Sequence, residues 1–137
     1  RPMVVRGREV GARFGTVAEL RTVDLERLEV RPGDDLHLML RWTVVGSPMG
    51  KYSSFVHVLD ENWKLYAQSD NWLDLADGAP GDVVRDPHTL HLPPTMPSGR
   101  YRLNVGLYER DPFRNLTTYS PEGETTSLTL ATLEIRP

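Results

Sequence analysis

The side chains able to do chemistry in this sequence are four histidines, nineteen carboxylates and a few aromatics outside the regular apolar pattern; cysteine is absent. Without cysteine there is no thiolate nucleophile, no disulfide frame and no Cys-based zinc site. His88 and His91 stand three apart in a strand-like stretch, which sends them to opposite faces, where they do not clamp one metal ion. His57 lies between Phe55 and Leu59, with Asp60 close by. It reads as a half-buried strand residue whose two ring nitrogens need only hydrogen-bond partners, in preference to a ligand or a base. Asp70, Asp74, Asp77, Asp82 and Asp86 offer the oxygens that calcium takes, but their spacing is not that of an EF-hand loop. A solvated, turn-forming loop is the expectation there. In Gly46-Ser-Pro-Met-Gly50 the serine stands one place too early for a nucleophile elbow. No pair of carboxylates is marked out for glycoside hydrolysis. The expectation is a protein that is not an enzyme, with no metal and no cofactor.

The aromatics carry more. Trp63 and Trp72 fall outside the core-facing parity of the strands around them. A flat indole stacks on the apolar C–H face of a sugar ring while neighbouring polar groups bond its hydroxyls. Gln68, Asp70, Asn71 and Tyr108 are the polar neighbours, so these six residues form the candidate ligand-binding set. In the competing reading each tryptophan caps one end of a core. Asn115-Leu-Thr117 is a glycosylation sequon, which has meaning only in a eukaryotic secretory setting.

Positioning such a surface requires a rigid frame. The chain has 137 residues, 39% hydrophobic and 26% charged, with a net charge of −3. That is one folded domain without the cationic footprint that nucleic acid demands. No apolar run approaches the roughly 20 residues of a membrane helix. Because residue 1 is Arg, the chain reads as a piece of a longer protein. Residues 1–10 read as a linker or edge segment, and 11–137 as one domain. Within 35–43, Leu36, Leu38, Leu40 and Trp42 share one parity while His37, Met39 and Arg41 share the other. Within 101–108, Tyr101, Leu103, Val105 and Leu107 point in, and Arg102, Asn104, Gly106 and Tyr108 point out. Such alternation marks strands half-buried on a core. The stretch 52–60 is apolar in both parities and predicts a central strand covered on both faces; 60–63 turns it into a hairpin. Pro87 places 83–92 at a sheet edge or at a bulge. Parity slips predict a bulge near Ala131 and another irregularity between Leu20 and Val23. Short strands separated by Gly, Pro and Asp predict an all-β, immunoglobulin-like, two-sheet antiparallel sandwich of about 7–9 strands.

Several of these marks occur together: Arg31-Pro-Gly33 before a strand ending in Trp42, the run Phe55-Val-His-Val-Leu-Asp60, Gln68 with Asp70, Pro80-Gly81 with Asp86, and Pro97 to Gly99 leading to Tyr101 and Val105-Gly-Leu-Tyr108. As a set they resemble the β-sandwich domain C-terminal to the membrane-embedded part of bacterial glycosyltransferase-like proteins of the protein-mannosyltransferase type. The resemblance implies a non-catalytic, extracytoplasmic accessory domain, joined to an upstream membrane domain of the same chain and serving a glycan or glycolipid. The alternative is a structural spacer or protein-docking domain with no small-molecule ligand. Two positions depart from the family: Trp63 stands where a turn glycine is usual, and Ala79 stands where a tryptophan often precedes the Pro-Gly pair.

Overall fold

Alternating apolar residues give this chain one face per strand to bury, and burial against a second sheet is the solution it adopts. The structure is a computed structural model describing residues 3–137. Among the described residues, twelve strands run in chain order: β1 (Val5–Phe14), β2 (Ala18–Leu25), β3 (Glu29–Val30), β4 (Asp35–Val44), β5 (Lys51–Leu59), β6 (Leu65–Leu73), β7 (Val83–His91), β8 (Gly99–Arg110), β9 (Arg114–Asn115), β10 (Thr118–Ser120), β11 (Gly123–Thr125) and β12 (Leu128–Ile135). Eight of them have eight or more residues; β3, β9, β10 and β11 are short additions that carry the total past the expected range. One sheet has the order β11-β10-β1-β2-β4-β7 and the other β3-β12-β8-β5-β6, with β9 on β8. They are called sheet A and sheet B below. Every pairing is antiparallel except the two-residue β12–β3 contact.

The parity reading of the anchor strands holds. Leu36, Leu38, Leu40 and Trp42 are buried from sheet A, and Tyr101, Leu103, Val105 and Leu107 meet them from sheet B. Phe14 packs edge-on to Trp42 at 5.0 Å between ring centroids. The Tyr101 hydroxyl donates to the Pro97 carbonyl at 2.7 Å, a tie of the kind that fixes corners in immunoglobulin-like sandwiches. Strand β7 is the edge of sheet A, with Pro87 in unbroken register opposite Met39. The expected irregularities appear as register shifts between Thr129 and Ala131 and between Leu20 and Thr22. Residues 5–10 are strand, paired with β2; β10 joins β1 only at Arg13 and Phe14. Two register shifts and left-handed backbone at Gly7 and Gly11 break the alternation of β1, which hides that strand from a periodicity reading. Residues 1 and 2 of the expected linker lie outside the described residues.

Among the described residues, a polar island lies between the facing sheets. The Asp86 carboxylate on β7 accepts from the Trp42 indole at 2.9 Å, the Ser54 hydroxyl at 2.5 Å and the Asn71 amide at 2.8 Å. His88 lies 3.2 Å from Asp86 and 2.9 Å from Ser54 through Nε2, and its Nδ1 reaches the Ser69 hydroxyl at 2.8 Å. Strands β4 and β7 of sheet A and β5 and β6 of sheet B therefore meet at a single carboxylate. Burial works to raise the Asp86 pKa, but His88, Ser54 and Asn71 outweigh it and hold the pKa below the usual 3.8. A depressed carboxylate pKa stabilises the fold fully above the unfolded value, and the gain is lost as pH falls through the folded one. Stability is thus expected to drop below about pH 4, and Asp86→Asn to remove that part of the drop, read from urea unfolding at about pH 5 and about pH 3. Asp86→Ala is expected to cost about 3 kcal/mol near neutrality, because its buried donors lose their acceptor.

Candidate functional site

Side chains at directly paired positions lie on the same face of a sheet. On β5, Ser53, Phe55 and His57 are paired with Trp72, Asp70 and Gln68 of β6 on one side, and with Tyr108, Gly106 and Asn104 of β8 on the other. All nine project from the outer face of sheet B, away from the core. This face brings together Trp72, Gln68, Asp70 and Tyr108 from the candidate set. Asn71 does not join them. It is paired with Ser54, points between the sheets and bonds Asp86 and the Pro87 carbonyl. Its neighbours in sequence face outward, and the strand period of two sends it inward.

The floor of the site depends on a missing side chain. Phe55 stands opposite Gly106, and a Cβ at that glycine would lie far inside contact distance of Phe55 Cζ. With no side chain there, the ring lies flat across β8. Phe55 is 4.5 Å from His57 and 6.1 Å from Tyr108, centroid to centroid, and Tyr108 is 5.1 Å from Phe113. Phe113 comes from the β8–β9 turn and is 67% exposed. With Asp70, Asn115, Thr126 and Ser127 these rings line a groove of about 360 Å³.

The polar groups of the groove are set by their surroundings. The Tyr108 hydroxyl donates to Asp70 Oδ2 at 2.7 Å. Burial first, and the Asp70 carboxylate second, raise the Tyr108 pKa, so the phenol keeps its proton. Burial lowers the His57 pKa, with Asp70 pulling the other way. The imidazole is therefore neutral near pH 7 and offers one donor and one acceptor. Such a groove presents apolar ring faces beside hydroxyl, amide, carboxylate and imidazole groups.

Neither tryptophan belongs to the core. Trp72 is 79% exposed, with the Arg110 guanidinium 3.9 Å from its ring centroid. Trp63 is 60% exposed, with Arg102 at 4.4 Å. The five aspartates of the acidic stretch are dispersed. Asp70 is in the groove and Asp86 between the sheets; Asp82 accepts from the Ala79 amide, and Asp74 neighbours Asp77. His91 pairs with Asp35 at 2.7 Å on the surface. Ser54, His88 and Asp86 have the residue types of a hydrolytic triad. Ser54 is fully buried and donates its proton to Asp86, so the three act as a clip between the sheets.

No protein-family model matches the sequence, and neither does any curated protein. Among solved structures, the C-terminal domain of Wzt superposes with a TM-score of 0.61 at 14% sequence identity, over 100% of this chain and 83% of that one. The sporulation control protein Spo0M from Bacillus subtilis reaches 0.45 at 13% identity, over 88% of this chain and 50% of that one. The likeness to the Wzt domain is one of fold.

Gly106→Ala is expected to force the Phe55 ring off the sheet. The cost is about 1–3 kcal/mol in urea unfolding, together with a changed near-ultraviolet circular dichroism spectrum.

Proposed function

We propose that this domain is a non-catalytic, glycan-binding accessory module, and that the groove on the outer face of sheet B is its binding site. The observation that carries this reading is the lining itself: Phe55 beside Tyr108 and Tyr108 beside Phe113, with His57, Asp70, Asn115, Thr126 and Ser127 around them. Sugar rings combine an apolar C–H face with a rim of hydroxyls, and this lining complements both parts. Asp70 makes the groove repel anions, while Arg102 and Arg110, the cations of β8 flanking it, lie against Trp63 and Trp72. Neutral sugars fit better than phosphorylated or nucleic-acid ligands. The marks running from Arg31-Pro-Gly33 to Tyr108 support a setting in a bacterial glycosyltransferase-like protein of the protein-mannosyltransferase type, extracytoplasmic and attached through an upstream membrane domain. The glycan or glycolipid would be held for the rest of that protein.

A glycan array probed with the wild-type domain and with Phe113→Ala tests the reading. Phe113 is mostly exposed, so its removal leaves the core intact. Retention of a neutral glycan by the wild type, weakened about tenfold in the variant, is the expected result. An array on which the wild type binds nothing would replace this reading with the spacer or protein-docking one. Hydrolysis of a bound glycan that ceases on Asp70→Asn would overturn the non-catalytic assignment.

A further inference from the structure

The β5–β6 hairpin turns through Asp60, whose carboxylate Oδ1 accepts from the Asn62 amide at 2.8 Å and the Lys64 amide at 2.9 Å. This turn puts Trp63 at φ +65°, in the left-handed region. Glycine or asparagine takes that conformation at little cost, and a bulky residue takes it against steric resistance. A tryptophan there is neither a turn former nor part of the core, since it is 60% exposed. Its indole is held instead by Arg102, which also donates to the Asp60 carbonyl at 3.0 Å. The ring forms one wall of a second groove of about 380 Å³. Asn104 and Thr129, joined by a 2.8 Å hydrogen bond, line it too, as do Ser120, Glu122 and Thr125 of the β10–β11 hairpin. Thr126 and Ser127 line both this groove and the one containing Phe55 and Tyr108, so the two adjoin along this segment.

We propose that Trp63 is the stacking platform of a second sugar subsite, and that the ligand is a linear neutral oligosaccharide long enough to lie across both grooves. This rests on the glycan reading above and adds chain length to it. A single aromatic face surrounded by hydroxyl, amide and carboxylate groups matches one pyranose ring, as the first groove does. A carboxylate stands in each half, Asp70 in one and Glu122 in the other, and both disfavour anionic sugars. A ligand engaging both halves gains contacts with each added unit until the grooves are full.

The test titrates gluco-, manno- and galacto-oligosaccharides of about one to six units into the wild type, Trp63→Asn and Phe113→Ala, by calorimetry. Asparagine suits the left-handed backbone, so Trp63→Asn is expected to keep its Tm within about 3 °C of the wild type. The wild type is expected to gain about tenfold or more in affinity from monosaccharide to the longer chains of one series. Trp63→Asn should lose that gain and keep monosaccharide affinity, whereas Phe113→Ala should weaken every length. Long chains bound equally by Trp63→Asn and the wild type would overturn the second subsite and leave the glycan reading standing. So would a wild-type affinity independent of chain length. A Tm lowered by about 8 °C or more in Trp63→Asn would make the ring a structural cap and overturn the proposal. No binding at any length at millimolar sugar, on a chain that also leaves the glycan array blank, would remove both readings together.

Discussion

The Asp86 carboxylate is the interaction on which the rest of the structure depends. It is the acceptor for Trp42 on β4, Ser54 on β5 and Asn71 on β6, and it sits on β7. Strands β6 and β7 are the edges of their two sheets, so this carboxylate closes the side of the sandwich where neither strand has another sheet neighbour. A buried polar cluster of this kind is demanding, because each partner left unpaired costs the full desolvation of its polar group. The demand sets register. If β6 slipped by one residue, Asn71 would turn outward and Asp70 and Trp72 would turn into the core. Apolar burial alone holds β6 weakly to its register, since Ala67 and Leu73 are its buried apolar residues. The clip inside therefore decides which side chains of β6 reach the surface outside.

The two outer faces differ in what they offer. Sheet A presents charge and hydroxyl pairs, such as Arg41 with Asp24 at 3.0 Å and His37 with Thr89 at 3.0 Å, as a solvated sheet face should. Sheet B presents rings. Phe55 is buried although it faces away from the core, because Gly106 gives it a bed and Tyr108 a neighbour. The segment from Phe113 to Thr129 then walls this face on one side. A sheet face that is half apolar, half polar and flanked by a wall is a cleft, and β5 reads as apolar in both parities for that reason.

That double apolar parity was the visible trace of the site in the sequence, and it reads first as a central strand covered on both faces. The long strands were legible because alternation at 36–42 and 101–107 is clean, and a one-face-in pattern of short strands leads to a sandwich or a barrel. Strand β1 was not, because its bulges reset the parity twice within ten residues. At the site, Trp63, Trp72, Asp70 and Tyr108 stood out by residue type. Asn71 stood out for the same reason and belongs to the interior clip, since residue type carries no information about which face a position takes when register is set by a partner strand. Phe113, Asn115, Thr126 and Ser127 lie in short or irregular segments with no period to follow. Pairing of β9 and β12 with β8, the neighbour of β5, brings them beside it.

The exposed indoles share one further constraint. Each is held by an arginine from β8, Arg102 for Trp63 and Arg110 for Trp72. Both arginines are on the outer-facing parity of β8, the parity that also carries Tyr108 and Gly106. An exposed tryptophan loses rotamer freedom when a ligand orders it, and a guanidinium stacked beforehand meets part of that loss in the free protein. Arg102 is itself tied to the Asp60 carbonyl, so the turn that strains Trp63 also anchors the group that orients it. Backbone strain, cation–π contact and hairpin geometry thus converge on one solvent-facing ring. Core packing asks for none of the three, since the ring lies outside the core. Under the proposed glycan reading, the three together hold the ring in place before a ligand arrives.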